Sequence, residues 1–216
     1  MIVDMRTYAL HPGRLGAYLK LYESEGWPIQ RSHLGDPLGY YFVDIGLLNR
    51  VVHLWGYPDI AERERRRAAM LSDPAWNAYR AKSVLFFQHQ ENRVLKPTPF
   101  WPMKAESSGP IGIVDLRVYT LQVGKLAEYF RIYEGDGLAT QVKHLGRCIG
   151  YYQSDIGTLN QVVHLWAYES IQDRETRRAR MAADPAWGGY LAKATGLIID
   201  MQNLTIKPVA FWTPKI

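Results

Sequence analysis

Three short stretches set charged and aromatic side chains at even spacings, which in an extended chain places them on one face. The first carries Asp4, Arg6 and Tyr8, the second Tyr40 and Asp44, and the third His53, Trp55 and Tyr57. Histidine titrates near neutrality without help, so His53 is the natural general acid or base. Asp44 would orient its imidazole or act as the base itself. Arg6 would hold a carboxylate or enolate oxygen. Tyr8, Tyr40, Trp55 and Tyr57 would wall a binding space beside Asp4. No serine or cysteine nucleophile accompanies them, so covalent acyl chemistry is not expected.

Each of these residues returns 111 positions later, as Asp115, Arg117, Tyr119, Tyr151, Asp155, His164, Trp166 and Tyr168. About half of all positions match at that offset without a gap, which marks a tandem duplication. His53, His164, Asp44, Asp155, Arg6 and Arg117 are the catalytic candidates, and the remaining repeated residues are candidates for binding. His33 and His144, in a His-Leu-Gly stretch kept in both copies, join the binding set, with loop capping as their alternative. Glu23 and Glu134 read as solvated. His33, His53 and Glu23 lack the spacing of a metal site, so no metal and no cofactor is expected. Cys148 aligns with Pro37 and reads as a bystander.

These side chains need a scaffold, and the pattern of each copy supplies one. Residues 2–10 alternate as a strand. Leu15, Tyr18, Leu19 and Tyr22 follow a helix ending near Gly26 or Pro28, and a loop through residues 31–35 leads to a strand over 39–45. A tight connection and a strand over 51–57 complete a hairpin. A helix over 60–71 follows, and a second helix opens with Asp73 as its cap and Pro74 at its first position. A last strand runs over about 92–96. Strand, helix, strand, strand, helix, strand is the ferredoxin-like order. The expected fold is α+β, two tandem ferredoxin-like βαββαβ units packed sheet-to-sheet as an intrachain dimeric α/β barrel. The first repeat spans 1–101, a linker rich in proline, glycine and serine spans 102–112, and the second repeat spans 113–216.

Alternation assigns the faces. Val3, Met5, Thr7 and Ala9, with Val52, Leu54 and Gly56, are expected against the helices. Asp4, Arg6, Tyr8, His53 and Trp55 are then expected on the face away from them. A polar face there requires either a ligand or mutual pairing, such as Asp4–Arg6 and Asp44–His53.

The 216 residues carry a net charge of +5, and 47% are hydrophobic. Much of the positive charge lies in residues 63–67 and 174–178, interleaved with acidic side chains as on a solvated helix face. No zinc-ligand or RNA-binding signature accompanies it, so nucleic acid is not an expected partner. No apolar run approaches the ~20 residues of a membrane helix. With strand-like residues at the very start, a cytoplasmic protein is expected, its partner a small molecule, with homo-oligomers of the whole chain open.

Several stretches resemble the NIPSNAP family over nearly the whole of each repeat. They are Asp4-Met5-Arg6-Thr7-Tyr8 with Leu10, His33-Leu34-Gly35, Gly39-Tyr40-Tyr41 and Asp44-Ile45-Gly46. They continue with Asn49 to Tyr57, Arg63, Arg66-Arg67, Asp73-Pro74-Ala75-Trp76, Glu91-Asn92 and Lys96-Pro97. The most specific is Asn-x-Val-Val-His-Leu-Trp, present twice. The second copy departs with Gln161 for Arg50, Ala167 for Gly56 and Gln202 for Glu91. The resemblance implies the dimeric α/β-barrel fold and no settled activity. The wider superfamily includes cofactor-independent monooxygenases, isomerases and haem-handling enzymes. Three readings stand: an enzyme using His53 and Arg6 on a small polar or aromatic molecule, a non-catalytic binding or interaction protein with a structural polar core, and a haem binder.

Overall fold

The computed structural model describes residues 1–103 and 109–213, so part of the expected linker, 104–108, lies outside the described residues. The first repeat opens with β1 (Ile2–Leu10), then α1 (Leu15–Leu21), a π-helical turn (Tyr22–Gly26) and α2 (Trp27–Leu34). Next come β2 (Gly39–Ile45), β3 (Arg50–Tyr57), α3 (Ile60–Leu71), α4 (Pro74–Ser83), a short 3-10 turn and β4 (Phe87–Pro97). The second repeat matches it: β5 (Ile113–Leu121), α5 (Leu126–Ile132), a π turn (Tyr133–Gly137), α6 (Leu138–Leu145), β6 (Cys148–Ile156), β7 (Gln161–Tyr168), α7 (Ile171–Ala182), α8 (Pro185–Ala194) and β8 (Ile198–Pro208). The fold class is α+β, with two tandem ferredoxin-like repeats and the antiparallel strands of a closed barrel.

Local chemistry explains the boundaries. Asp59 caps α3 by accepting from the Glu62 amide at 2.8 Å, and Asp73 caps α4 by accepting from Ala75 at 2.8 Å. The helix expected to stop near Gly26 instead runs on to Leu34, and the loop expected over 31–35 is helical as far as Leu34. The π turn makes this tolerable. The Trp27 amide reaches back five residues to the Tyr22 carbonyl, so Pro28, which has no N–H, enters a widened turn that does not need one. β4 also starts earlier than expected, at Phe87.

In the first repeat β1 lies between β3 and β4, and β2 pairs the far side of β3. The register aligns Asn92, Arg6, His53 and Tyr40 in one row across the four strands. In the second repeat Asn203, Arg117, His164 and Tyr151 form the same row.

The chain forms two compact units whose limits differ from those of the sequence repeats. Among the described residues, unit 1 comprises Met1–Leu95 with 208–213, and unit 2 comprises 96–103 with 109–207. In unit 1 the ring of Phe211 lies 5.3 Å from Trp27 and 5.5 Å from Tyr22 and Tyr40, while Trp212 meets Tyr41 at 5.3 Å. In unit 2 Phe100 takes the corresponding place, against Phe130, Tyr133 and Tyr151.

Candidate functional site

The polar sheet face is the one its helices cover, which reverses the expected assignment. Asp4, fully buried on β1, meets Arg67 of α3 at 2.8 Å and Arg63 of α3 at 3.2 Å, besides Arg6 of its own strand at 3.1 Å. Asn92 of β4 donates to its second oxygen at 3.0 Å. Val3, Met5, Val52 and Leu54 are buried on the opposite face of the sheet. Aliphatic positions do not face these helices, because the helices themselves are polar on that side. Here α1 offers Tyr18, the π turn Tyr22, and α3 its arginines. A polar sheet face pairs with polar helices, each group satisfying the other.

One carboxylate among three guanidiniums is an uneven ratio. Burial pushes the Asp4 carboxyl up, but Arg6, Arg67, the Asn92 amide and Arg63 outweigh it and hold it at about 2. Burial would lower the Arg6 guanidinium, yet Tyr8 and Asp4 keep it above its ordinary value. Arg67 is lowered, by burial first and by Arg6 second. Its Nη2 makes the 2.8 Å contact with Asp4, while its Nε is buried without a hydrogen-bond acceptor.

His53 sits in the row beside Arg6. Its ring stacks on Tyr40, with centroids 4.9 Å apart, and meets Tyr8 edge-on at 4.9 Å. The Trp55 indole N–H donates to His53 Nδ1 at 2.6 Å. An indole nitrogen can only donate, so Nδ1 must be the acceptor and the ring proton resides on Nε2. Burial, then Arg6 and Arg67, hold the imidazole well below its usual range and therefore neutral. Nε2 is buried and has no hydrogen-bond partner. His53 is thus a fixed donor, and the base role expected for it does not match this geometry.

The rings above this row enclose space. A cavity of about 660 Å³ in unit 1 is lined by Arg6, Tyr8, Tyr18, Tyr22, Tyr40, His53, Arg63, Arg67, Trp76, Tyr79, Arg80 and Phe87, among others. The Tyr18 and Tyr40 hydroxyls are 3.2 Å apart, and Tyr22 donates to Gln30 at 2.5 Å. Burial raises the hydroxyl groups of Tyr18, Tyr22 and Tyr40 far above their ordinary range, so they remain protonated donors.

Unit 2 repeats the arrangement. Asp115 meets Arg174 at 2.6 Å, Arg178 at 3.1 Å and Arg117 at 3.4 Å. Trp166 donates to His164 Nδ1 at 2.9 Å, Nε2 again lacks a partner, and burial, Arg117 and Arg178 keep the ring neutral. Tyr119 and Tyr151 contact His164 at 4.8 and 4.7 Å.

Not every expected residue belongs to the site. His53 has no bond to Asp44, because Trp55 occupies Nδ1 and Nε2 is unpartnered. Asp44 lies along β2 beyond Phe42, the last residue paired with β3. Asp155 is exposed and pairs with Lys96 at 2.8 Å rather than with His164. His33 and His144 bind the helix-capping Asp73 and Asp184 at 2.9 and 2.8 Å, and His33 does not line the unit 1 cavity. Tyr57 lies under the Arg66 guanidinium, 6.0 Å from its ring centre, and its hydroxyl, like that of Tyr168, is buried without a partner. Trp55 acts through His53, and Asp4 lies behind the arginines. Tyr18, Tyr22, Arg63, Arg67 and Tyr79 were missed. Their signal was present: Tyr18 with Tyr22 and Arg63 with Arg67 are four apart on helices and recur unchanged as Tyr129, Tyr133, Arg174 and Arg178.

Among the described residues no group of three or more His, Cys, Asp or Glu is placed to hold a metal ion. No helix among them is long and apolar enough to cross a membrane.

Comparison with known proteins adds three findings. The NIPSNAP family profile matches residues 3–102 and again 114–213. The NipSnap homologue of Dictyostelium discoideum is 26% identical over 96% of this chain and 87% of its own length, and human NipSnap homologue 3A is 25% identical over 96% and 83%. A candidate monooxygenase from Lactobacillus acidophilus shares the fold over 95% of this chain and 92% of its own, with a TM-score of 0.63 at 10% identity.

Proposed function

The chain belongs to the NIPSNAP family, and from that premise we propose that unit 1 binds a small polar aromatic molecule between its sheet and its helices. The observation that carries this is the cavity of about 660 Å³, a volume typical of small-molecule sites. Its wall combines tyrosine rings with a buried, unpartnered His53 Nε2. A buried donor left without an acceptor costs roughly 1–3 kcal/mol, which a ligand oxygen would recover. Chemistry in such a site would start from a substrate oxygen polarised by the neutral His53 N–H and by Arg6, as in isomerase or oxygenase-type reactions run without a cofactor. The monooxygenase-like fold makes that reading compatible with the chain's architecture and carries no more than the fold.

A second reading, a structural polar core without a ligand, draws support from Asp4, whose oxygens are already met by Arg6, Arg63, Arg67 and Asn92. The two readings separate in one experiment. Titration of the full chain with 2-naphthol, followed by intrinsic fluorescence, is expected to saturate. His53→Ala is expected to weaken binding about tenfold while the protein still melts cooperatively. Absence of saturable binding, together with loss of the folded state in His53→Ala, would instead assign the row to structure.

A further inference from the structure

The charge around the cavity is as informative as its shape. Arg6, Arg63, Arg67 and Arg80 line it against a single acidic side chain, Glu64. Glu64 is two-thirds exposed and already paired with Arg63. Asp4, beneath the wall, is shared by Arg6, Arg63 and Arg67. Arg80 and Glu64 are exposed, and the three more buried guanidiniums, Arg6, Arg63 and Arg67, against Asp4 leave a surplus of two positive charges beside a half-open cavity. Isolated buried charge is costly, and proteins offset it with a counter-ion or a ligand. The hydrogen-bond inventory agrees. Arg67 Nε and His53 Nε2 are buried N–H groups without a hydrogen-bond acceptor, Arg67 Nη2 is taken up by Asp4 at 2.8 Å, and Tyr8 already accepts from Arg6 Nη1 at 3.1 Å. The Trp55 indole prevents the imidazole from turning its lone pair outward, because Nδ1 is engaged at 2.6 Å. Gln30, Asn77, Ser83 and Gln90 in the same wall can donate or accept, so the preference rests on the surplus of positive charge and on the fixed donor of His53.

We propose that the occupant of this cavity is an aromatic anion, a carboxylate or an acidic phenolate. Its ring lies among the tyrosines, and its oxygen is held by Arg67, Arg6 and the Nε2–H of His53. This rests on the reading that the cavity binds a small molecule and adds the sign of that molecule's charge. Arg67 and Arg6 supply charge-assisted hydrogen bonds, which are about twice as strong as neutral ones. His53 supplies a donor that stays a donor, since it is neutral and its tautomer is fixed by a neighbour that cannot accept.

The test uses two matched pairs on the full chain at pH 8. Naphthalene-2-carboxylate is compared with naphthalene-2-carboxamide, and 4-nitrophenolate with 4-nitroanisole, each titrated calorimetrically. The expected result is that at least one anion binds about tenfold or more tightly than its neutral partner, and the stronger pair identifies carboxylate or phenolate as the class recognised. The preference is expected to collapse in Arg67→Met. Should that variant fail to fold, Arg80→Leu serves, because it introduces the residue the second repeat carries at Leu191; a several-fold loss of anion affinity is expected there. Equal affinity within both pairs would overturn the anion assignment and leave the binding reading standing. Failure of all four compounds to bind would remove both. Side-chain ¹⁵N NMR checks the donor independently. His53 should show a protonated Nε2 and an unprotonated Nδ1 in the wild type, and Trp55→Phe should perturb that pattern. A protonated Nδ1 in the wild type would overturn the role given to His53.

Discussion

His53 and Trp55 are two residues apart on one strand, and their single hydrogen bond decides what the imidazole can do. It also ties stability to pH. Burial and nearby guanidiniums hold His53 and His164 well below the ordinary histidine value of 6.5, so the unfolded chain takes up protons that the folded chain refuses. Their contribution is complete above pH 6.5 and is lost as pH falls toward the folded values, at up to about 1.4 kcal/mol per pH unit for each ring. Asp4 acts lower down: its stabilisation is present above its unfolded value of 3.8 and disappears as pH drops toward about 2. The urea midpoint is therefore expected to fall between pH 7 and pH 5, and to fall less steeply in a His53→Gln/His164→Gln double variant. A midpoint indifferent to pH over that range would show that the two rings ionise as freely as in the unfolded chain.

At the scale of elements, the π turn is the least regular part of each repeat and one of the most constrained. A Cβ on Gly26 would come within 2.7 Å of Tyr22 and 2.8 Å of Tyr79, and one on Gly137 within 2.8 Å of Tyr190. Gly135, in the same kind of turn, faces open space. Gly26→Ala is expected to destabilise by about 1–3 kcal/mol and to distort the tyrosine wall, while Gly135→Ala stays near neutral. Thermal melts of the two variants decide it; similar melting would mean the turn can relax. This turn also marks the limit of what the sequence discloses. The strand order, the hairpin, α3 and the caps at Asp59 and Asp73 follow from alternation and capping chemistry, which are local. Pro28 reads locally as a stop, and only the five-residue reach of Trp27 to Tyr22 makes it a continuation. The residues of the polar row were legible for the same local reason. Their side of the sheet was not, because alternation gives two faces and does not say which one the helices will cover. Tyrosine and arginine at helical spacing held that information, but they read equally well as a solvated surface until seen against Asp4 and Tyr40.

For the molecule as a whole, duplication kept the chemistry and relaxed its surroundings. Asp4, Arg6, His53 and Trp55 have identical counterparts, whereas Asn77, Arg80 and Gln90 of the unit 1 cavity wall correspond to Gly188, Leu191 and Met201. The chain's last residues add a test at this scale, since Phe211 and Trp212 belong to unit 1. Trp212→Ala is expected to cost about 3–5 kcal/mol. Hydrogen exchange should accelerate in β2 and α2 of unit 1 before it does in unit 2. Uniform acceleration across both units would show that the tail supports them equally. The consequence of this arrangement reaches beyond one protein's stability. Each unit is completed by residues read from the far end of a repeat, so a mutation in the second copy's tail is felt in the interior of the unit that houses the first copy's site. Removing the second repeat would take Phe211 and Trp212 from unit 1, and removing the first would take Phe100 from unit 2.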